Sequence, residues 1–529
     1  MRQQFLKQVS MVFTLLIMAS PVWAEKILVG AFDVGPGGDP QAILYQGRAG
    51  YVWHSKMYTP LVMMTADYSG YTSEGALAVK WEANAENTIW TFTLRNGVKW
   101  HDGAPFTAHD LKFTAEFIAN PSVVTVMSSP FRIPGKVVGY NEFREGKATE
   151  ITGIVIVDDL TLQVHLTEPS PRFPGECRLW FALPKHAINF PPADVRTTDW
   201  WWTRPIGTGP FKFGAYKKDE YMELVPNEYY WDGKPKLDKL VNRYFPDVDA
   251  AAVALENGEI DFSYVTPDVA LRFGANPNFQ VFEGSSFVTN LLNYNYRRPI
   301  WRDIRVRQAM LYGIDRATIL RDVFKDGAQA VPCGDPYPMY WPADVNAYDY
   351  HPEKARELLA AAAADGVSLE GQTFEILTYY TAQFDKDVLN YLQANLAEIG
   401  IQVTPIYLSL AEWKPRVHEK GEFDLAYRGW GEGIDYIGTD WYVKGNEWGI
   451  DDPAYETLSA NMHAASAPED YKNARMAYCA YQNTQAAFGY LWVATRYGAA
   501  SARLKDFHYY PAPGGGPYVD HAEKWDIAE

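Results

Sequence analysis

The sequence is poor in the features that most function classes need. Its 529 residues hold only three cysteines, Cys177, Cys333 and Cys479. They stand far apart, unlike the closely paired ligands of a zinc site. There is no G-x-S-x-G, no H-E-x-x-H, and no G-x-x-x-x-G-K followed by Ser or Thr. The nucleophile elbow, the metalloprotease helix and the phosphate-cradling loop are therefore missing. His101 and His109 flank a turn and a helix cap at a spacing with no ligand logic, and Asp451-Asp452 sits beside proline, where solvation and capping explain it. No catalytic residue, metal ligand or cofactor is predicted, and a secreted hydrolase is the remote alternative.

Basic charge is short as well. Lys and Arg number 48 against 65 Asp and Glu, for a formal net charge of −17. An acidic surface of that size argues against nucleic acid or an anionic membrane as main partner. Internal repeats and low-complexity linkers are absent. No stretch approaches the roughly 20 apolar residues needed to cross a bilayer. The apolar run Val9 to Ala19 is too short for that, but it follows Arg2 and Lys7 and precedes Val22-Trp23-Ala24, the layout of a secretory signal peptide. Residues 1–24 are read as that signal, with cleavage after Ala24 and no following cysteine to carry a lipid. The mature chain is expected to be exported and soluble, in a compartment that permits disulfides.

Apolar and aromatic residues are plentiful. Hydrophobic residues make up 47% of the chain, with 18 Trp, 35 Tyr and 26 Phe, enough for more than one core and more aromatics than cores require. At about 100–200 residues per domain, two to four units are expected.

The most structured stretch is Thr88 to Thr114. Trp90, Phe92 and Leu94 alternate with Thr91, Thr93 and Arg95, the period of a half-buried strand. Asn96-Gly97 turns the chain, and Val98 to Trp100 is predicted to return as a partner strand. Thr107 caps a helix whose N3 position is Asp110, a carboxylate suited to the helix N-terminus. Gly153 to Leu166 reads as a strand pair turning at Asp158-Asp159. In Asp199 to Arg204 (DWWWTR) three consecutive tryptophans cannot all face one way, so a packed seam or a groove lining is expected. Farther on, helices are predicted over Asp249 to Glu256, Ile304 to Phe324, Pro352 to Ala364 and Asp385 to Glu398. Strands fall at Thr373 to Thr378, Ile401 to Ile406 and Phe423 to Ala426. This alternation is an α/β pattern.

WTFTLRNGVKWHDGAPFTAHDLKFT resembles the signature segment of the family 5 extracellular solute-binding proteins, the periplasmic receptors of bacterial peptide-type ABC importers. Further matches follow in that family's order: Tyr58-Thr59-Pro60-Leu61 and Leu77 to Trp81 before the segment, Gly207 to Phe211 (GTGPF), Asn227 to Trp231 (NEYYW), Ile304 to Asp315 and His351 to Ala360 after it. The resemblance implies an α/β, two-lobed periplasmic binding protein of type II with an accessory subdomain and a hinge between the lobes. Residues 25–64, 206–288 and 501–529 would form the first large lobe, 65–205 the accessory subdomain, and 289–500 the second large lobe. Crossings between lobes would lie near Phe287 to Tyr296 and Tyr490 to Ala500. Cys333 and Cys479 would share the second lobe and could pair, although three buried thiols is the plainer alternative.

The loop from Arg428 to Asp440 is the best candidate site. Its glycines let backbone approach a ligand, Arg428 opens it, Trp430 and Tyr436 offer flat surfaces, and Glu432 and Asp435 offer acceptors. In peptide-binding relatives an aspartate three residues after this tryptophan pairs with the peptide's α-amino group. Gly433 stands there in this chain, so Glu432 or Asp435 would take that role. The resemblance implies a monomeric periplasmic receptor that captures a peptide-like ligand and delivers it to ABC permease subunits. Oligosaccharides, opines or metal complexes are the alternative ligands.

Overall fold

The computed structural model describes residues 25–32, 55–65, 70–123, 136–195, 197–431, 442, 445–509 and 521–528. The proposed signal peptide lies outside them. Among the described residues no helix is long and apolar enough to cross a membrane.

Two long strands organise the chain. Phe279–Tyr294 and Gly489–Ser501 run antiparallel at the centre of an eleven-stranded sheet. On one side Leu425–Gly431, Thr373–Thr378 and Gln402–Tyr407 follow outward. On the other come Phe262–Val265, Ile27–Ala31, Lys239–Arg243, Tyr221–Pro226 and Phe211–Lys217. The two long strands thus belong to both halves of the sheet. Their pairing breaks register between Ser285 and Thr289, where Phe287 adopts a φ of +47°. A second, smaller shift follows between Asn290 and Leu291, and a bulged pair with a left-handed phenylalanine is a local weak point in the ladder.

Separate cores flank this axis. One gathers Leu291 to Val493, with Trp301, Trp413, Trp448 and Trp492 fully buried. A second is built from segments between Leu28 and Leu240, Phe262, Tyr264 and the C-terminal Trp525. A third packs the four-stranded sheet of Ala78–Ala83, Ile89–Leu94, Thr161–His165 and Ile154–Asp158 against the helix Ala108–Ala119. The Trp200-Trp201-Trp202 run forms a short helix whose first two indoles are buried in the second core at right angles to each other, with Trp202 packed partly against it. The Trp201 indole N–H donates to the Val195 carbonyl at 2.7 Å. This is the packed seam.

Three local expectations need correction. Ile89–Leu94 pairs with Ala78–Ala83 and Thr161–His165, not with Val98 to Trp100. The latter segment instead bonds across the next turn, Phe106 N–H to the Val98 carbonyl and Trp100 N–H to the Ala104 carbonyl. The helix expected over Ile304 to Phe324 is two, Ile304–Gly313 and Arg316–Asp322. It breaks where Asp315 caps the second by accepting from Thr318 N–H at 3.0 Å. Last, the strand expected to end at Ala426 continues to Gly431, so Arg428 and Trp430 stand on a strand, not in a loop.

The motif segments meet in space. His101 accepts from the Gly207 N–H at its Nδ1 (3.0 Å), while its Nε2 faces the Gly209 carbonyl at 3.2 Å. Asn227 donates to that same carbonyl at 2.8 Å. A Cβ at Gly207 would lie 1.9 Å from the Met57 carbonyl oxygen, and one at Gly209 2.4 Å from that of Lys56. Both positions therefore require glycine, because backbone passes against backbone. Among the described residues, Cys333 and Cys479 form a disulfide and Cys177 is a buried free thiol.

Candidate ligand-binding site

Thr373–Thr378 runs parallel to both Gln402–Tyr407 and Leu425–Gly431, so the carboxyl ends of all three strands reach the same rim. In α/β sheets ligands bind outside the carboxyl ends of parallel strands. This rim carries Tyr379, Tyr380, Tyr407 and the Gly429-Trp430-Gly431 turn of strand. It also adjoins the register break, because Gly431 pairs with Val288 and Trp430 with Thr289.

The hydrogen-bonding parity of that strand end is fixed by one contact. The Gly429 N–H donates to the Tyr380 phenol oxygen at 2.8 Å, away from its partner Asn290. Antiparallel pairs alternate between bonded and non-bonded, so the N–H and C=O of both Gly429 and Gly431 point to the outer edge. Thr373–Thr378 pairs with this strand only at Leu425 and Ala426. Beyond Ala426, no strand among the described residues covers the outer edge. Gly429 also has no room for a side chain, since a Cβ would lie 2.6 Å from Val288 Cγ1 and 2.8 Å from the Tyr380 oxygen.

Arg428 and Trp430 share the same face, two residues apart along the strand. The Arg428 guanidinium is buried among indoles, 5.0 Å from the Trp430 ring centroid, 5.5 Å from Trp413 and 6.0 Å from Trp448. Such a cation over aromatic faces fixes the rings' orientation, and Trp430, the half-buried one, is left at the rim. His418 lies edge-on between Trp413 and Trp448, at 4.9 and 6.0 Å, and pairs with Glu447. Burial pushes the Tyr380 phenol up, so near neutral pH it is a protonated hydrogen-bonding group.

The structure thus brings Arg428 and Trp430 together. Glu432, Asp435 and Tyr436 lie outside the described residues. No sequence pattern points to Tyr380, Trp413 or Trp448. They come from a strand end, the helix Leu410–Lys414 and a loop, with no shared period to link them. No cluster of His, Cys, Asp and Glu suited to a metal ion occurs among the described residues.

Comparison with known proteins fits this arrangement. The family model for bacterial extracellular solute-binding proteins, family 5 (middle), matches residues 72–445. A candidate ABC transporter peptide-binding protein of Brucella melitensis is 34% identical over an alignment of 536 residues, spanning 97% of this chain and 96% of its own. The structure of the oligopeptide-binding protein AppA of Bacillus subtilis, solved with a nonapeptide, superposes with a TM-score of 0.78 at 21% identity, over 96% of this chain and 100% of its own. That of NikZ from Campylobacter jejuni, solved with Ni(L-His), gives 0.75 at 21% identity, over 95% and 99%. The fold is the two-lobed α/β type II fold of periplasmic binding proteins. On sequence and fold together, this chain belongs to the family 5 bacterial extracellular solute-binding proteins.

Proposed function

We propose that the protein is the periplasmic receptor of an ABC importer, capturing a peptide-like ligand between two lobes that close about a hinge and presenting it to membrane permease subunits. The observation that carries this reading is the outer edge at Gly431, which no strand among the described residues covers, beside the half-buried Trp430 indole and next to the register break of the two long strands. A strand edge that no other strand covers favours an extended main chain, and an adjacent aromatic surface favours its side chains. The first lobe is assigned to residues 25–64, 206–288 and 501–529, the accessory subdomain to 65–205 and the second lobe to 289–500. The mature chain begins at Glu25 after signal cleavage, works as a monomer without cofactor and turns nothing over. Glu432 or Asp435 is assigned the ligand's α-amino group, with Tyr436 offering a second flat surface beside Trp430.

A second reading has the Trp430 indole in its favour, because the apolar faces of sugar rings stack on indoles. The experiment is native mass spectrometry of the mature protein purified from its own periplasm, before and after mild unfolding. Released masses spaced by amino-acid residues are expected, in a one-to-one complex. Hexose-spaced masses would move the site to oligosaccharides, and catalytic consumption of a peptide would overturn the receptor reading.

A further inference from the structure

An open strand edge ordinarily offers every second residue to a pairing chain. Here the first of those residues beyond the sheet is taken. The Gly429 N–H, which points to the outer edge, already donates to the Tyr380 phenol oxygen at 2.8 Å. Tyr380 is not loosely placed. Its own N–H donates to Thr378 Oγ1 at 3.1 Å, and its ring meets Tyr379 and Tyr427 edge-on at 4.8 and 5.9 Å. The missing side chain at Gly429 lets the phenol approach so closely, because a Cβ there would stand 2.8 Å from its oxygen.

We propose that Tyr380 is a specificity-determining residue of the ligand site: its hydroxyl occupies the Gly429 rung, so that a bound ligand's main chain pairs at Gly431 and not at Gly429. This rests on the peptide reading of the site. A ligand carbonyl reaching for the Gly429 N–H would have to displace a phenol wedged between two other rings, and it would then leave that phenol oxygen to find another donor in a half-buried place. The cost falls on long extended peptides, which would otherwise run along the whole edge. It spares short ones, which need a single rung and draw the rest of their affinity from Trp430 and the rim tyrosines. The ligand class assigned is therefore a short peptide or peptide-like molecule.

The test is calorimetric titration of the mature protein and its Tyr380→Phe variant with di-, tri- and penta-alanine, together with hydrogen–deuterium exchange across 427–431. Phenylalanine keeps the ring and removes only the oxygen. In the wild type, affinity should stop rising with length beyond the tripeptide. In Tyr380→Phe the pentapeptide should gain about five- to tenfold, the size of one added hydrogen bond, while the dipeptide changes less than twofold. Exchange at 427–431 should accelerate in the free variant and slow again with pentapeptide. An unchanged length profile, or equal loss at every length, would overturn the role of Tyr380 and leave the peptide reading standing. Failure of the wild type to bind any of the three peptides while it binds an oligosaccharide would overturn the peptide reading and this inference with it.

Discussion

The guanidinium of Arg475 and the carboxylate of Asp335 face each other in full burial, at 0% and 1% side-chain exposure, with Nη2 donating to Oδ1 at 3.1 Å. Arg475 also lies over the Tyr340 ring, 3.9 Å from its centroid. A buried pair of this kind is not worth more than well-packed apolar residues, but removing one partner strands a charge without water. Arg475→Ala should therefore lower unfolding stability by about 3–5 kcal/mol, read from urea denaturation. Replacing both residues with apolar ones of similar volume should recover most of that loss.

The disulfide Cys333–Cys479 ties together the same two segments, bracketing Asp335 and Arg475 in sequence and closing 146 residues. A cross-link of that span restricts the unfolded chain more than a short one. Replacing both cysteines with serine should cost about 2–5 kcal/mol of stability. Peptide affinity, measured well below the unfolding transition, should change little, because neither cysteine is on the ligand rim.

His101 gives the protein a specific acid sensitivity. Burial pushes its imidazole down to about 3 from an ordinary 6.5, with the Gly209 carbonyl opposing. The neutral ring fits its partners: the Gly207 N–H can only donate to Nδ1, and the Gly209 carbonyl can only accept from Nε2. The unfolded chain takes up a proton near 6.5 that the folded chain refuses until near 3, so this contribution is complete above pH 6.5 and is lost as pH falls towards 3. His101→Phe, which cannot titrate, should be less stable at pH 8 by about 1–3 kcal/mol for its lost hydrogen bonds. Its stability should fall less steeply between pH 6.5 and 4, by up to about 1.4 kcal/mol per pH unit. Urea unfolding of both proteins across that range measures the difference directly.

These features differ in how far the sequence discloses them. Short-range rules worked where the cause is local. The Asn96-Gly97 turn is visible because Gly97 takes a φ of +79°, and the Thr107 cap because Thr107 N–H finds Asp110 three residues on, at 3.0 Å. They failed where the partner is distant. Val98 to Trp100 looked like the return strand of Ile89–Leu94, but Thr161–His165 takes that place from some seventy residues away. The strand through Arg428 looked finished at Ala426 because glycines follow, yet those glycines pair with Val288 to Asn290 and keep the ladder going. Glycine in that pattern suggests loop freedom, whereas at Gly429 it is a requirement of close packing. Tyr380 could not be found at all from pattern, since its importance lies in one hydrogen bond across 49 residues of sequence.

The Arg172 guanidinium lies 3.3 Å from the centroid of the Tyr471 ring. Arg172 precedes Phe173 of the core around the four-stranded sheet, while Tyr471 belongs to the core of residues 291–493. In the proposed division, this contact runs from the accessory subdomain to the second lobe, so it can persist only while those bodies stay close. Tyr471 in turn touches the buried pair, its hydroxyl accepting from Arg475 at 3.4 Å, which holds the ring in place whether or not Arg172 is there. A cation–π contact of this kind is worth about 0.5–2 kcal/mol. Arg172→Ala should therefore shift the population towards the open form and weaken ligand binding by about two- to thirtyfold. Arg172→Lys should keep part of the effect through its charge. Small-angle scattering of the free and liganded variant gives the population, and calorimetry gives the affinity. Unchanged values in both would mean that the contact decorates closure and does not drive it.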